Sequence, residues 1–228
     1  LEQMTADLLG REAALYMPSG TMSNQAAIAV HTRPGDEIIC ESGSHTYRYE
    51  VGAPAALSGV LTQLLEGKAG VLAPDVIAPN LHDGADIHQA PTSLIVLENT
   101  HNRAGGRVFP LDTMQAVRTL ANHHGVKIHL DGARLLNAQV ASGVAAAEYA
   151  ACADTVSLCL SKGLGAPVGS LLSGTAETIA QARRVRKRLG GGMRQVGILA
   201  AAGIYALEHN VDRLADDHAN AKRLAAGL

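Results

Sequence analysis

One lysine, Lys162, is the single charged residue in an apolar stretch of the sequence, SLCLSKGLGAPVGS, which covers residues 157–170. A stretch this apolar predicts burial, and an ammonium group that is buried without a partner tends to lose its proton. An uncharged lysine amine is a nucleophile that forms an imine with a carbonyl compound. The alternative is a structural lysine whose stem lies at a strand end while its ammonium reaches solvent. The surrounding sequence must distinguish a catalytic Lys162 from a structural one.

Polar side chains also follow four other predicted strands. Ligands of open α/β sheets bind outside the carboxyl ends of the strands, so we expect these side chains to lie near Lys162. Each of them also has an ordinary structural explanation as a helix cap, a loop residue or a strand-to-helix turn. In chain order the segments are Ser19-Gly20-Thr21, Ser44-His45, Thr100-His101-Asn102-Arg103 and Asp131-Gly132-Ala133-Arg134.

Together these residues meet the chemical needs of pyridoxal 5'-phosphate. Its aldehyde requires a lysine amine, which Lys162 offers, and its ring becomes an electron sink when an aspartate such as Asp131 keeps the pyridine nitrogen protonated. Its phosphate binds backbone N–H groups at a helix N-terminus, where Gly20 allows close approach and Thr21 adds a hydroxyl. The chain has no tryptophan and one phenylalanine, which leaves His45 as a flat side chain that can stack on the ring. The competing phosphate motifs, the P-loop and GxGxxG, are absent.

The sequence around these segments alternates between strand and helix patterns, which predicts an α/β fold with a mainly parallel central sheet flanked by helices. In the middle of the chain, a helix with apolar residues at helical spacing begins at a cap, Asp112, and stops at Gly125. From Ala176 onward the pattern is helical with a break at residues 190–192, and the longest apolar run, residues 196–207, predicts a buried helix. The predicted strands are EAALYM, DEIICE, TSLIVLEN, VKIHLDGAR and DTVSLCLSK.

The composition limits the classes of function. The 228 residues, 47% hydrophobic and 18% charged, are enough for one large domain with a buried core. A formal net charge of −2 argues against nucleic acid or an anionic membrane as a partner. The basic run RRVRKR, residues 183–188, indicates a solvated helix face, a phosphate contact or a subunit interface. Three cysteines without a CxxC pair fit a reducing cytoplasm, and ten histidines without HExxH give no indication of a metal site.

Six motifs can be followed along the whole chain: PSGTMSN, SGSHTYRYE, ENTHNRAGG, HLDGAR, SKGLGAPVGS and LGGGMRQVGILAAAGIYALEHN. In this order and spacing they resemble the bacterial low-specificity L-threonine aldolases, which have the aspartate-aminotransferase-like fold (fold type I) of pyridoxal-phosphate enzymes. The resemblance implies the large domain of that fold. It also implies a retro-aldol cleavage of β-hydroxy-α-amino acids to glycine and an aldehyde.

The resemblance assigns the cofactor-binding residues individually. It implies that Lys162 holds pyridoxal phosphate as an imine, that Asp131 pairs with the ring nitrogen and that His45 stacks on the ring. Gly20 and Thr21 would hold the phosphate.

The resemblance also assigns residues to the substrate. It implies that Arg134 binds the substrate carboxylate and that His101 lies near the substrate hydroxyl. Lys187 and Arg194 would enter the site of a neighbouring subunit in a homo-oligomer, a dimer of dimers. The group that removes the hydroxyl proton stays open among His45, His101 and a bound water.

The ends of the sequence lie inside helical patterns without terminal caps, so we expect the chain to be part of a longer protein. We expect residues 1–208 to form the large cofactor-binding domain and residues 209–228 to begin a helical connection to a small C-terminal domain outside this sequence. Two other functions remain open: another fold type I lyase that acts by β-elimination on amino acids, and a regulator that binds the cofactor without turnover.

Overall fold

A seven-stranded sheet runs through the middle of the computed structural model, which describes all residues from 1 to 228. The sheet order in space is β1-β7-β6-β5-β4-β2-β3. The pairs among β6, β5, β4, β2 and β3 are parallel, whereas β7 is antiparallel to both of its neighbours. The predicted mainly parallel sheet is therefore confirmed. In chain order the strands are β1 (Ala13–Met17), β2 (Glu37–Glu41), β3 (Leu61–Leu65), β4 (Thr92–Glu98), β5 (Lys127–Asp131), β6 (Thr155–Cys159) and β7 (Ser170–Gly174).

Helices cover both faces of the sheet, because its strands carry apolar side chains on both sides. In β1, for example, Leu15 and Met17 pack toward the second and eighth helices, while Tyr16 belongs to the larger apolar cluster on the opposite face. The helices are α1 (Glu2–Leu8), α2 (Gly20–His31), α3 (His45–Arg48), α4 (Pro74–Ile77), α5 (Leu111–His124), α6 (Leu135–Ser142), α7 (Ala146–Ala151), α8 (Ala176–Arg188), α9 (Gly197–His209) and α10 (Leu214–Ala226). None of them has both the length and the apolar character needed to cross a bilayer.

All five predicted strands are present, and two strands, β3 and β7, were not predicted. The predicted end of α5 is confirmed, because Gly125 closes this helix in a left-handed conformation with φ at 69°. The prediction that Asp112 caps the start of this helix is wrong. Pro110 is the N-cap, and Asp112 lies in the first turn, where a carboxylate favours the positive end of the helix dipole.

The prediction of a buried helix over residues 196–207 is only half right. The helix exists as α9, but its buried positions are Gly203 and Ala206, while Ile198 is 81% exposed and Tyr205 is 61% exposed. Gly203 allows α9 to lie close to Leu160, since a Cβ atom there would come within 2.9 Å of that side chain. The small residues thus face the chain's own core, and large apolar residues face outward.

Six strands end at the same edge of the sheet, because β1, β2, β3, β4, β5 and β6 all run in the same direction. This edge is where open α/β sheets bind their ligands. The sheet therefore brings together the polar segments that follow these strands in the sequence.

Candidate active site

A cleft of about 300 Å³ opens at this edge of the sheet. Its lining comes from the ends of five of these six strands, β1, β2, β4, β5 and β6, and the segments that follow them, which is the convergence expected from the sequence. Six of the predicted site residues line it: Gly20, Thr21, His45, Asp131, Arg134 and Lys162.

Lys162 lies in the turn that follows β6, and its side chain lines the cleft. The strand itself ends earlier, at Cys159, so the expectation that Lys162 ends the strand is slightly wrong. The side chain is half-buried rather than fully buried, and its ammonium has no ion-pair partner within the chain. Burial raises the pKa of the neighbouring Cys159 thiol, and the positive charge of Lys162 opposes that rise. Lys162 is thus an unpaired amine that faces a polar cleft.

Asp131 is the last residue of β5, and its carboxylate is buried at the base of the cleft, with 4% of the residue exposed. One oxygen accepts a hydrogen bond from the Asn24 amide at 2.7 Å, and the other accepts one from the Ala133 backbone at 3.1 Å. The following residue must be glycine, because a Cβ atom on Gly132 would lie 2.6 Å from the Ser157 carbonyl oxygen. The sequence Asp-Gly therefore brings the carboxylate to the cleft while the chain passes closely over β6.

His45 begins α3 in the loop after β2, and its ring lines the cleft. Its backbone N–H donates to Glu98 Oε2 at 2.7 Å, and its ring Nδ1 lies 3.0 Å from Glu50 Oε1. The hydrogen bond to Glu50 is the main reason that the pKa of His45 is raised, with the Asp131 charge adding to the effect. Burial and the charge of Lys162 act in the opposite direction. The other ring nitrogen, Nε2, has no hydrogen-bond partner in the chain.

The N-terminus of α2 forms one end of the cleft. Ser19 caps this helix by accepting a hydrogen bond from the Met22 backbone at 3.1 Å. The backbone N–H groups of Gly20 and Thr21 have no acceptor within the chain, as is normal for a first helical turn. A Cβ atom at Gly20 would lie 3.0 Å from the Cys159 sulfur, which is tight enough to favour glycine. The result is a free pair of N–H donors at the positive end of a twelve-residue helix.

Arg134 lies directly before α6 and lines the cleft with a half-buried side chain. Its guanidinium makes no hydrogen bond and no ion pair within the chain. Because a guanidinium fork matches the geometry of a carboxylate, this free fork can bind a carboxylate that comes from a ligand.

Three further polar residues of the site were not predicted. Glu98 ends β4 directly beside Asp131 in the strand register and is 6% exposed; burial, followed by the Asp131 charge, raises its pKa. Of the three, Glu98 could have been predicted from the sequence, because it ends the strand that precedes the polar segment Thr100-His101-Asn102-Arg103. Asn24 and Glu50 lie on the second turn of α2 and after α3, where no sequence signal marks them.

Three predicted residues do not line the cleft. His101 is 2% exposed, its Nε2 lies 2.9 Å from Glu41 Oε2, and its Nδ1 accepts a hydrogen bond from the Ala104 backbone at 3.3 Å. Lys187 at the end of α8 and Arg194 in the loop before α9 are both exposed. Their expected positions in a neighbouring subunit's site, and the role of His101, stay predictions.

The donor set fits the cofactor predicted from the sequence. A free amine, a buried carboxylate, a ring and a pair of N–H donors surround one cleft, and each of them suits a different part of pyridoxal phosphate. One ring nitrogen of His45 and one carboxylate oxygen each of Glu50 and Asp131 lie within 4.8 Å of one another, a spacing that could also hold a cation. However, Asn24 donates to both carboxylates, at 2.8 Å and 2.7 Å, so amide hydrogens already point into that gap.

Comparison with known proteins matches the chain to one lyase family and to relatives that are named L-threonine aldolases. The family model described as beta-eliminating lyase matches residues 1–228. A probable low-specificity L-threonine aldolase 2 of Arabidopsis thaliana is 44% identical over 235 residues, which cover 100% of this chain and 65% of that protein. The low specificity L-threonine aldolase of Escherichia coli K12 is 44% identical over 229 residues, which cover 100% of this chain and 68% of that protein. The chain therefore spans about two thirds of the length of these curated relatives.

Solved structures show the same fold. A putative L-allo-threonine aldolase from Listeria monocytogenes superposes with a TM-score of 0.86 at 25% identity, covering 99% of this chain and 61% of that chain. A threonine aldolase from Leishmania major gives a TM-score of 0.87 at 24% identity and covers 99% of this chain and 67% of that chain. At 24% identity, the similarity to the Leishmania major structure is evidence for the fold alone.

Proposed function

The chain belongs to the beta-eliminating lyase family, and from this premise we propose that it cleaves β-hydroxy-α-amino acids to glycine and an aldehyde, with pyridoxal phosphate as cofactor. L-threonine and L-allo-threonine are the proposed substrates, because the curated relatives of similar sequence are low-specificity L-threonine aldolases. The single observation that carries the proposal is the cleft in which Lys162, Asp131, His45 and Arg134 meet the N-terminus of α2.

Each part of the cleft has a proposed role toward the cofactor. Lys162 supplies the amine that holds the aldehyde, and Asp131 supplies the negative charge that keeps the ring nitrogen protonated. The N–H groups of Gly20 and Thr21, with the Thr21 hydroxyl, bind the phosphate, and the His45 ring stacks on the cofactor ring. When bound, this cofactor supplies an electron sink for the bond that breaks at the substrate Cα.

The substrate is bound and deprotonated by residues of the chain. Arg134 binds the substrate carboxylate through two parallel hydrogen bonds and thereby fixes its orientation in the cleft. His45 takes the proton of the β-hydroxyl at Nε2, the nitrogen that has no partner in the chain, as the Cα–Cβ bond breaks and the carbonyl group of the aldehyde forms. A proton then returns to Cα, which gives glycine.

We propose that the protein works as a homo-oligomer, a dimer of dimers, in the cytoplasm. In this assembly Lys187 and Arg194 enter the cleft of a neighbouring subunit. The outward-facing Ile198 and Tyr205 of α9 support an interface beside the loop that carries Arg194. Three buried free cysteines are compatible with a reducing compartment. We also propose that residues 1–208 are the large domain and that residues 209–228 lead toward a small C-terminal domain.

The second candidate is β-elimination, which the description of the matching family model favours. Feeding L-threonine to the protein with pyridoxal phosphate separates the two reactions. Retro-aldol cleavage yields glycine and acetaldehyde in equal amounts, whereas elimination yields ammonia and a keto acid. Glycine and acetaldehyde in a one-to-one ratio support the proposal, and ammonia with a keto acid as the main products contradict it. Binding of the cofactor without any product would point to the regulator.

A further inference from the structure

A buried chain of hydrogen bonds lies behind the cleft, between α2 and the sheet. It begins at His31, whose Nε2 lies 3.1 Å from the Thr155 hydroxyl, and continues through His129 to Asn24. From Asn24 it divides to two carboxylates, those of Asp131 and Glu50. None of these hydrogen bonds has a part in the roles toward cofactor and substrate that are proposed above.

The positions of the protons in this chain follow from the acceptors at its end. An ionised carboxylate only accepts hydrogen bonds, so the amide nitrogen of Asn24 must face Asp131 and Glu50. The amide oxygen of Asn24 then accepts from Nε2 of His129 at 3.0 Å. Burial lowers the pKa of His129 to about 4, so this ring is neutral, and its Nδ1 accepts from the Thr155 hydroxyl at 3.0 Å. Every donor therefore points toward the two carboxylates.

Glu50 receives three donors and is 3% exposed. Its Oε1 lies 2.8 Å from the Asn24 amide nitrogen and 3.0 Å from Nδ1 of His45, and its Oε2 lies 2.7 Å from the Gln25 amide nitrogen. Because Glu50 only accepts, Nδ1 of His45 carries the proton. In the neutral ring the lone pair is then on Nε2, the atom that has no partner in the chain.

We propose that Glu50 is a positioning residue that holds His45 in the form whose Nε2 lone pair faces the cleft, with Asn24 fixing Glu50 relative to Asp131. This inference rests on the proposed function. As Nε2 takes the hydroxyl proton of the substrate, the ring becomes positively charged, and the carboxylate bonded to Nδ1 stabilises that charge. When Nε2 releases the proton, the ring returns to the same neutral form.

Other charged groups near His45 do not take this role. Asp131 at the end of β5 and Lys162 after β6 act on the ring only through space, and Glu98 at the end of β4 accepts from the backbone N–H of His45. Glu50, in the turn after α3, is bonded to the ring itself.

The variant Glu50→Gln tests the inference because the fold can accommodate it. The new amide can keep its oxygen toward His45 and Asn24 and turn its NH₂ group toward Gln25. The Gln25 Oε1 atom is buried without a partner, so a rotated Gln25 amide can accept that new donor. Glu41→Gln is a matched control, since Glu41 binds Nε2 of His101 at 2.9 Å outside the cleft.

The first readout is nuclear magnetic resonance of the histidine ring nitrogens in the protein without cofactor or substrate, with His45→Asn used to assign the signal. We expect the neutral His45 ring to carry its proton on Nδ1. We also expect its pKa to be lower in Glu50→Gln than in the unmodified protein, and unchanged in Glu41→Gln. A proton on Nε2, or the same His45 titration in Glu50→Gln as in the unmodified protein, would overturn the inference.

The second readout is threonine cleavage by the loaded enzyme. In Glu50→Gln we expect kcat to fall roughly tenfold to a hundredfold with KM little changed, because general-base assistance typically contributes about 100-fold or more. The pH at which the rate rises should move to lower pH, in line with the lower pKa of His45. An unchanged kcat together with a lowered pKa of His45 would refute the catalytic part of the inference. If the unmodified protein cleaves no β-hydroxy amino acid, the proposed function fails, and the ring-nitrogen measurement still decides whether Glu50 sets the proton on His45.

Discussion

Replacing Arg134 by lysine tests how the cleft recognises its substrate. The variant Arg134→Lys keeps the positive charge but loses the planar fork that binds a carboxylate through two hydrogen bonds. No carboxylate of the chain pairs with Arg134, so the substitution leaves no new unpaired group in the protein. The substitution should therefore affect how the cleft recognises the carboxylate of the ligand, and not the fold.

The expected magnitude follows from burial. Loss of a buried bidentate contact with a charged partner costs roughly 2 to 4 kcal/mol. Because the Arg134 side chain is half-buried, we expect the lower end of this range. About 2 kcal/mol corresponds to a loss of roughly 30-fold in kcat/KM.

The assay compares L-threonine with threoninol, the amino alcohol in which a hydroxymethyl group replaces the carboxylate. We expect Arg134→Lys to lose about 30-fold in kcat/KM on threonine and little on threoninol, so that the preference for threonine shrinks by that factor. Arg107→Lys, the same change on an exposed loop residue outside the cleft, is the control. Unchanged kinetics on threonine in Arg134→Lys would refute the assignment and place carboxylate recognition elsewhere.

Three further predictions concern the cofactor charge, the assembly and acid stability. Asp131→Asn should reduce turnover more than cofactor attachment, because the carboxylate matters most as charge develops on the ring; near-normal turnover, measured beside the cofactor absorbance, would contradict this. Mixed oligomers of Lys162→Ala and Arg194→Ala chains, each inactive alone, should recover part of the activity if Arg194 acts in a neighbouring subunit, and no recovery despite proven subunit exchange would count against it. The buried His129 should also destabilise the fold in acid. Its pKa of about 4 lies below the unfolded value of about 6.5, so its full contribution to stability is present above pH 6.5 and falls by roughly 3 kcal/mol as the pH drops toward 4. Denaturant unfolding of the protein and of His129→Gln should show a weaker pH dependence in the variant, and equal dependence would exclude this cause.

The position of the site at the strand ends could be predicted, because ligands of open α/β sheets bind at the carboxyl ends of the parallel strands. Short apolar runs predict the five strands, and the rule that ligands bind at their carboxyl ends predicts that Lys162, Asp131 and His45 surround one cleft, as they do in the structure. The short strands β3 and β7 were missed. Leu61 in β3 is 58% exposed at the edge of the sheet, and β7 runs against its neighbours directly after a glycine-rich turn.

The contacts behind the cleft could not be predicted, because they depend on how α2 packs on the sheet. Asn24 reaches Asp131 across more than a hundred positions in the sequence, and nothing in its neighbourhood marks it as part of a site. The direction of the His101 ring, toward Glu41 and away from the cleft, is likewise a result of tertiary packing. The exposure of Ile198 could not be predicted, because an apolar run has the same sequence pattern whether it faces a core or an outer surface.

The central claim is that Lys162 holds the cofactor, and covalent trapping tests it most directly. The protein loaded with pyridoxal phosphate is reduced with borohydride, digested and mapped by mass spectrometry. We predict a reduced cofactor adduct on the peptide that contains Lys162, and no adduct and no imine absorbance band in Lys162→Ala. An adduct on another lysine of the unmodified protein, or one that persists in Lys162→Ala, would contradict the account.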